Sequence, residues 1–219
     1  ILDSLPALLK GLVVTLNLTV QSLGLGLILA LPLSFAQNYG PKPVKIIVSA
    51  YEKIFRSIPE LVILFLVFYG LPRIGFRIPA FTAFVLGFGL RSAAYQSQIF
   101  RGAIQSVSSS QMRAARSMGM SNLQGFVHVI LPQASRIALP PWTNEFTIVL
   151  KDSSLAYAIG VTEMLRQGSY IIATHYEPML IYLTVAGIYL GVTLTANKTL
   201  GYLEKKLALP GFEMREPIR

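Results

Sequence analysis

The chain has 219 residues, of which 53% are hydrophobic and only 13% are Asp, Glu, Lys or Arg. Soluble domains carry about 25% charged residues, so this composition excludes a disordered chain, a soluble nucleic-acid binder and an ordinary cytosolic enzyme. The net charge of +9 comes from basic residues in short connectors between apolar runs, which is typical of membrane topology. With no Cys in the chain and both histidines outside the long apolar runs, we expect no metal site.

Five apolar segments are long enough, whole or assembled from parts, to be membrane-spanning helices. A helix that crosses the hydrocarbon core needs about 20 mostly apolar residues, and the uncharged runs 11–38 and 178–197 reach this length. We therefore predict an all-α integral membrane protein with a single transmembrane domain over residues 1–219. The five spans are predicted at about residues 11–37, 44–71, 79–103, 137–160 and 178–203.

Prolines interrupt the second and fourth predicted spans. Residues 58–71 alone would give only about 21 Å of helix, so the second helix must begin earlier, and Pro59 either kinks or restarts it. The fourth span contains Pro140 and Pro141 and ends in the polar run 151–154, so we predict that it is broken at both places. Such breaks are tolerated where they line a cavity, although the run 151–154 also fits an ordinary external helix end.

The distribution of basic residues predicts the orientation of the chain in the membrane. Most of the 19 Lys and Arg residues fall in alternate connectors and after the last span. Cytoplasmic loops carry the excess of Lys and Arg. We therefore expect the N-terminus outside and the C-terminus in the cytoplasm.

The segment 108–132, between the third and fourth spans, is polar but strongly patterned. Ser108 with Gln111 and Ser121 with Gln124 have capping-box spacing, and Gly119 suits the end of a helix. This predicts two short amphipathic helices that meet at Gly119, with the second ending at Leu131-Pro132. The alternative is a hairpin that merely connects two spans.

The same segment resembles the EAA loop of ABC importer permeases. Arg113-Ala114-Ala115, then Gly119, then Leu131-Pro132 follow the family's spacing, with Arg113 in place of the usual Glu and Val129 in place of Ile. Shorter stretches are similar to the polar amino-acid branch of that family and occur in the same order. They are residues 15–19, 56–59, 100–104, 144–146 and 150–155.

This resemblance implies a five-span permease in a prokaryotic cell membrane that forms a homodimer or a paralogous heterodimer. It implies that an extracytoplasmic binding protein delivers a polar amino acid and that ABC ATPase subunits dock on segment 108–132. ATP and Mg would then be bound by those ATPases, with no cofactor on this chain, which also lacks a G-x-x-x-x-G-K-[ST] phosphate loop. The implied ATPase-coupling residues are Arg113, Ala114, Ala115, Gly119, Leu131 and Pro132.

Ionisable residues inside the predicted spans are candidates for the substrate path. Arg91 lies about 18 Å along the third span, near the bilayer midplane, where a charge is costly and usually functional. A guanidinium suits the carboxylate of an amino acid, and Glu145 could take its ammonium group. The alternative is an internal ion pair of Arg91 with Glu145 or Glu60. The candidates are Arg91, Glu145, Asn144, Ser153 and Glu60, and Arg91 is expected to disfavour cationic substrates.

Two other functions were weighed against an ATP-driven importer. An ion-coupled secondary carrier or channel would use the same membrane charges, but it has no need of a patterned cytoplasmic helix pair. An intramembrane enzyme is disfavoured because the spans contain no pair of aspartates and no catalytic motif such as H-E-x-x-H. Residues 163–177 predict a short external helix that is either part of a binding-protein surface or an ordinary connector.

Overall fold

The computed structural model describes residues 4–207, and these residues are helical almost throughout, with no strand among them. The predicted all-α fold is confirmed. Over this range the helices in chain order are α1 (Leu5–Tyr39), α2 (Lys42–Ser57), α3 (Glu60–Phe65), α4 (Ala80–Ser106), α5 (Ser109–Ser117), α6 (Asn122–Gly125), α7 (Leu131–Asp152), α8 (Met164–His175) and α9 (Pro178–Leu207). Two π-helical turns, Leu66–Gly70 and Phe126–Ile130, and two 3-10 segments, Leu71–Ile74 and Ser153–Ile159, connect some of them.

Helices α1 and α4 pack along each other and form the centre of the molecule. Gly26 makes this close approach feasible, because a Cβ at that position would lie 2.6 Å from Nε2 of Gln96. Apolar clusters lie along this pair of helices. Phe84, Phe88 and Leu18 are buried in one of them, and the burial of such side chains is what holds the helices together.

The second predicted span is broken at Pro59. Ile58 has an extended backbone (φ −91°, ψ 132°), and helix α3 begins immediately after the proline. The helical segment before the break and the segment from Glu60 to Ile74 meet at an angle of 105°. Because proline disfavours the helical conformation of the residue before it, the helix restarts here rather than bending gently.

The fourth predicted span begins earlier and is more regular than expected. Helix α7 starts at Leu131 and runs without a break through Pro140 and Pro141, so the predicted break at these prolines is wrong. The first half of α7 packs into the core through Ala134 and Ala138, which are fully buried. This packing keeps the helix continuous where proline alone would weaken it.

Two helices, α1 and α9, are long and apolar enough to cross a membrane, and the bent pair at Pro59 forms a third candidate. Helices α4 and α7 carry more polar residues and do not meet that measure. Five spans therefore remain a prediction. The predicted domain of residues 1–219 includes residues 1–3 and 208–219, which lie outside the described residues.

Candidate functional site: an ion-pair cluster and a two-helix platform

Arg91, in the middle of α4, bridges two carboxylates from other helices. Its Nη1 lies 3.1 Å from Oε1 of Glu145 on α7, and its Nη2 lies 3.0 Å from Oε1 of Glu60 on α3. Only 4% of Arg91 is exposed. A buried guanidinium needs such partners, because an unpaired charge away from water is very costly. The structure therefore shows the internal ion pairs that the sequence left as the alternative.

Aromatic stacking holds the guanidinium from a third direction. Tyr95 lies one turn after Arg91 on α4, and its ring centroid is 4.2 Å from Cζ of Arg91. Cζ of Arg56, near the end of α2, is 5.1 Å from the same ring. Cation–π contacts of this kind add to the ion pairs, so Arg91 is held by partners on α3, α4 and α7.

The two carboxylates differ in access. The side chain of Glu145 is only 3% exposed, whereas that of Glu60 is 35% exposed. Arg91 is thus paired with two carboxylates. The more accessible of them, Glu60, gives the cluster an acidic edge that a solute can reach.

A chain of buried hydrogen bonds extends from Glu145 through polar residues of α4. Ser92 Oγ donates to Glu145 Oε1 over 2.8 Å, and Gln96 Nε2 donates to Ser92 Oγ over 3.0 Å. Gln96 Nε2 also reaches the carbonyl oxygen of Leu23, and Trp142 Nε1 donates to Gln96 Oε1 over 2.8 Å. The amide of Gln96 is therefore fully engaged, and the cluster is connected to the single tryptophan of the chain.

The remaining sequence candidates lie apart from this cluster. Asn144 is exposed on α7 and has no recorded contact with Arg91. Ser153 is buried, but its Oγ donates to the carbonyl oxygen of Leu150, which is a local helix contact. The structure thus brings together Arg91, Glu145 and Glu60 and leaves the other two outside.

Two capped helices form the platform predicted between the third and fourth spans. Ser108 caps α5 through the N–H of Ser110, while Gln111 donates its backbone N–H to the carbonyl of Ser108, so the predicted Ser108–Gln111 box is wrong. Gly119 has φ +84°, and Met120 N–H returns to the carbonyl of Ala115 over 3.1 Å. A left-handed residue of this kind ends a helix and is best supplied by glycine.

The second helix of the platform has the predicted capping box in full. The backbone N–H of Ser121 donates to Gln124 Oε1 over 2.8 Å, and the N–H of Gln124 donates to Ser121 Oγ over 3.2 Å. Ala115 is buried, and a Cβ at Gly125 would lie 3.4 Å from its methyl group. Ala114 and Ala115 were both expected to couple to an ATPase. Ala115 packs inside the platform, and Ala114 is the exposed one.

The second helix of the platform was predicted to end at Leu131-Pro132, and this prediction is wrong. The helix widens into the π turn Phe126–Ile130 and continues as α7, with the N–H of Leu131 reaching back to the carbonyl of Phe126. Pro132 has no N–H for the carbonyl of His128, and its ring crowds that oxygen. A turn with one extra residue relieves this conflict. The other π turn, Leu66–Gly70, also directly precedes a Leu-Pro pair.

Comparison with known proteins is decisive at this point. A family model described as "Binding-protein-dependent transport system inner membrane component" matches residues 22–209. The chain belongs to this family. It is 38% identical over 207 residues to the probable amino-acid ABC transporter permease YckA of Bacillus subtilis, covering 94% of this chain and 92% of that one.

Other members of the permease family are similar over nearly their whole length. The nopaline transport system permease NocM of Agrobacterium fabrum is 36% identical, covering 90% of this chain and 86% of the relative. The glutamine transport system permease GlnP of Escherichia coli K12 is 34% identical, with 94% and 95% covered. A crystal structure of an amino acid ABC transporter with histidines superposes with a TM-score of 0.84 at 36% identity, covering 94% and 96%. The chain is therefore an amino-acid ABC transporter permease subunit by family, and a secondary carrier or channel is not favoured.

In this permease, the predicted short helix after α7 is present as α8. Glu163 is buried at its start and accepts the N–H groups of Leu165 and Arg166, each over 2.8 Å. The pKa of Glu163 is raised by burial, and these hydrogen bonds offset only part of the rise. Arg166 is partly exposed and lies against the rings of Tyr157 and Tyr170, with its Nε 2.9 Å from the hydroxyl of Tyr170.

A further buried carboxylate of the permease, Glu52, was not predicted from the sequence. Glu52 on α2 is 3% exposed and accepts hydrogen bonds from Gln37 on α1 and from Ser97 and Gln98 on α4. None of these donors is charged. The pattern that could have revealed it is the run of three consecutive polar residues at 96–98 within a predicted span, because polar groups there need partners inside the bundle.

Proposed function

We propose that this chain imports a polar amino acid as one of two permease subunits, powered by ATPase subunits that dock on the platform of residues 108–132. The observation that carries the proposal is the exposed, fully capped helix pair around Gly119. Met118 is 70% exposed and Leu123 57% exposed. Apolar side chains presented on a rigid polar platform are suited to a protein partner.

ATP and Mg belong to the partner ATPases in this proposal. The sequence has no phosphate-binding loop of its own, so the energy must arrive through contacts with another subunit. The platform is directly continuous with α7, which carries Glu145. Movement of the platform therefore has a short mechanical path to the ion-pair cluster.

We also propose that the N-terminus lies outside and the C-terminus in the cytoplasm. The excess of Lys and Arg in alternate connectors supports this orientation. Reporter fusions in residues 37–44, in residues 108–110 and at the C-terminus should all read cytoplasmic. A cytoplasmic reading near Arg166 would refute the topology.

A second permease chain, identical or paralogous, completes the pathway in this proposal. Helix α9 is an obvious contributor to contacts outside this chain, because only Ile181 and Val185 along it are buried. Its exposed apolar side chains include Leu183, Leu190 and Leu194. They suit lipid as well as another permease chain, and neither contact requires a polar partner.

The substrate end of the proposal rests on Glu60. Arg91 pairs with two carboxylates through Nη1 and Nη2, and its Nε has no partner but is buried, so an incoming carboxylate would have to displace one of the two. The accessible edge is instead acidic, and it suits the ammonium group of an amino acid or a cationic side chain. We therefore assign recognition of a positively charged group to Glu60 and a positioning role to Arg91, and we reverse the expectation that cationic substrates are disfavoured.

An extracytoplasmic binding protein is the proposed source of the substrate. The exposed rings of Tyr157 and Tyr170 flank the partly exposed Arg166 on the side that the topology places outside. Arginine and tyrosine are the residue types that dominate binding energy at protein interfaces. This favours docking over the reading of α8 as an ordinary connector.

One experiment tests the core of the proposal. The permease is co-expressed with its ATPase, purified through a tag on the permease, and reconstituted with binding protein and candidate amino acids. We expect the ATPase to co-purify and its hydrolysis to rise when loaded binding protein is added. A permease that accumulates amino acid without an ATPase, driven by an ion gradient, would overturn the proposal.

A further inference from the structure

Helix α2 presents three different faces. Val48 and Glu52 are buried against the bundle, while Ile47 and Ile54 are 68% and 54% exposed on another side. A third face carries basic residues at helical spacing. These are Lys42, Lys45 and Lys53. A helix with separate apolar and cationic exposed faces is typical of the boundary between hydrocarbon and headgroups.

The lysines of α2 share one surface cleft. Lys42, Lys45 and Lys53 line it together with Ser49, Ile46 and Ala50, and its volume is about 360 Å³. All six lining residues belong to α2, so the cleft is an open groove between side chains that a phosphate group can approach from the surface. Ser49 provides a hydroxyl among the three ammonium groups.

These lysines have no acidic partner among the described residues. Ion pairs between side chains in residues 4–207 are formed by Arg91, and Glu52, the acid on α2, points inward to neutral donors. Lys45 Nζ donates to the carbonyl oxygen of Asn38 over 3.1 Å, which leaves its other N–H groups available. The cleft thus holds several positive charges with no internal compensation.

The cleft lies where the chain turns from the end of α1 into α2. The 105° bend at Pro59 prevents α2 and the segment after it from both running along the membrane normal. Of the two, α2 is the more polar, and it begins next to residues 37–44, which the topology places in the cytoplasm, so its lysine face is suited to the level of the headgroups. We propose that this cleft binds the phosphate of an anionic phospholipid, with the acyl chains lying along Ile47 and Ile54.

The test measures lipid binding to the intact complex of permease and ATPase in neutral detergent. Phosphatidylglycerol or phosphatidylcholine is titrated, and bound lipid is counted by native mass spectrometry together with the thermal midpoint. The test variant is Lys42→Gln/Lys45→Gln/Lys53→Gln. The matched control, Lys198→Gln/Lys205→Gln/Lys206→Gln, removes the same charge from exposed positions on α9.

We expect phosphatidylglycerol to raise the midpoint of the native complex and of the control. The α2 variant should bind it at least about tenfold more weakly, because each lysine near an anionic headgroup contributes substantially. Equal affinity of the α2 variant and the control would overturn the proposal, as would equal stabilisation by phosphatidylcholine or by inorganic phosphate alone. Should the triple variant not fold, Lys53→Gln and Lys42→Gln are tested singly against Lys205→Gln by the same criteria.

Discussion

Nη2 of Arg91 on α4 lies 3.0 Å from Oε1 of Glu60, the first residue after the break between α2 and α3. The same guanidinium reaches Glu145 on α7 through Nη1. One buried side chain therefore ties the restarted half of a broken helix to two continuous helices. It sets both the geometry of the acidic edge and the stability of the bundle around it.

Replacing Arg91 should destabilise the permease rather than change its substrate. Arg91→Ala leaves Glu145 buried without its cation, and breaking a buried pair costs about 3–5 kcal/mol. We expect a markedly lower thermal midpoint of the purified dimer, while Arg91→Lys keeps the charge and loses less. If Arg91→Ala left the midpoint unchanged but shifted the order of preferred amino acids, Arg91 would be the substrate ligand after all.

Neutralising Glu60 should weaken substrate recognition while the dimer stays assembled. Glu60→Gln keeps the size of the side chain but removes the charge on the accessible edge, and Glu145 still pairs with Arg91. A lost charge-assisted hydrogen bond corresponds to roughly a tenfold rise in the concentration of substrate needed for half-maximal transport. Glu60→Asp, which keeps the negative charge at this position, is the control and should retain most of the transport. An unaltered concentration dependence in Glu60→Gln would contradict the assignment.

Gly119 should tolerate no side chain in a coupled transporter. A residue with a Cβ in the left-handed region costs roughly 1 kcal/mol or more, so Gly119→Leu shifts the angle between α5 and α6. We expect the chain to reach the membrane but to show little transport and little substrate-stimulated ATP hydrolysis. Gly191→Ala is the control, because Gly191 has open space around it and an ordinary helical backbone. Normal coupling in Gly119→Leu would remove the platform from the mechanism.

Restoring the family's glutamate at position 113 should weaken assembly with the native ATPase. Arg113 is exposed, and its contact inside the chain is a 3.3 Å hydrogen bond to Ser109. Its charge is therefore free to meet an acidic or neutral partner surface. Co-purification of the ATPase with Arg113→Glu should fall, more so at low salt, while Arg136→Glu, beyond the platform, should leave it intact. Improved assembly of Arg113→Glu would show that the partner still expects glutamate.

Trp142 offers an optical readout of the buried hydrogen-bond chain. It is the one tryptophan of the protein, and its Nε1 donates to Gln96. Two further hydrogen bonds, through Ser92, connect Gln96 to Glu145. Substrate binding at the acidic edge should change its emission, and Gln96→Leu should abolish that response. Gln105→Leu, an exposed change on the same helix, should retain it. A full response in Gln96→Leu would mean that the chain does not transmit the binding event.

The sequence predicted the all-helical fold and the platform because these depend on local patterns. Hydrophobic runs, the glycine at position 119 and the box at Ser121 act over a few residues. An ion pair of Arg91 with Glu145 or Glu60 was among the alternatives, since a buried charge needs partners. That Arg91 pairs with both carboxylates depends on how α3 and α7 meet α4, and no spacing in the sequence encodes that.

The errors arose where tertiary packing outweighs local preference. Pro140 and Pro141 sit in a helix that remains continuous, because Ala134 and Ala138 anchor its first half in the core. The network around Glu52 was missed for the opposite reason. Its donors come from α1 and α4, at sequence separations of 15 to 46 residues, so only the folded chain shows that they converge.

The π turn at Phe126–Ile130 gives the platform a freedom that a plain α-helix lacks. An α-helix advances about 100° per residue, and a π turn carries one residue more than the turn it replaces. If the π turn shifts by one position along the helix, each residue over which it shifts rotates about the helix axis by roughly 100° with little loss of hydrogen bonding. A push on α5 and α6 can then appear in α7 as a twist, and Glu145 lies four turns further along that helix.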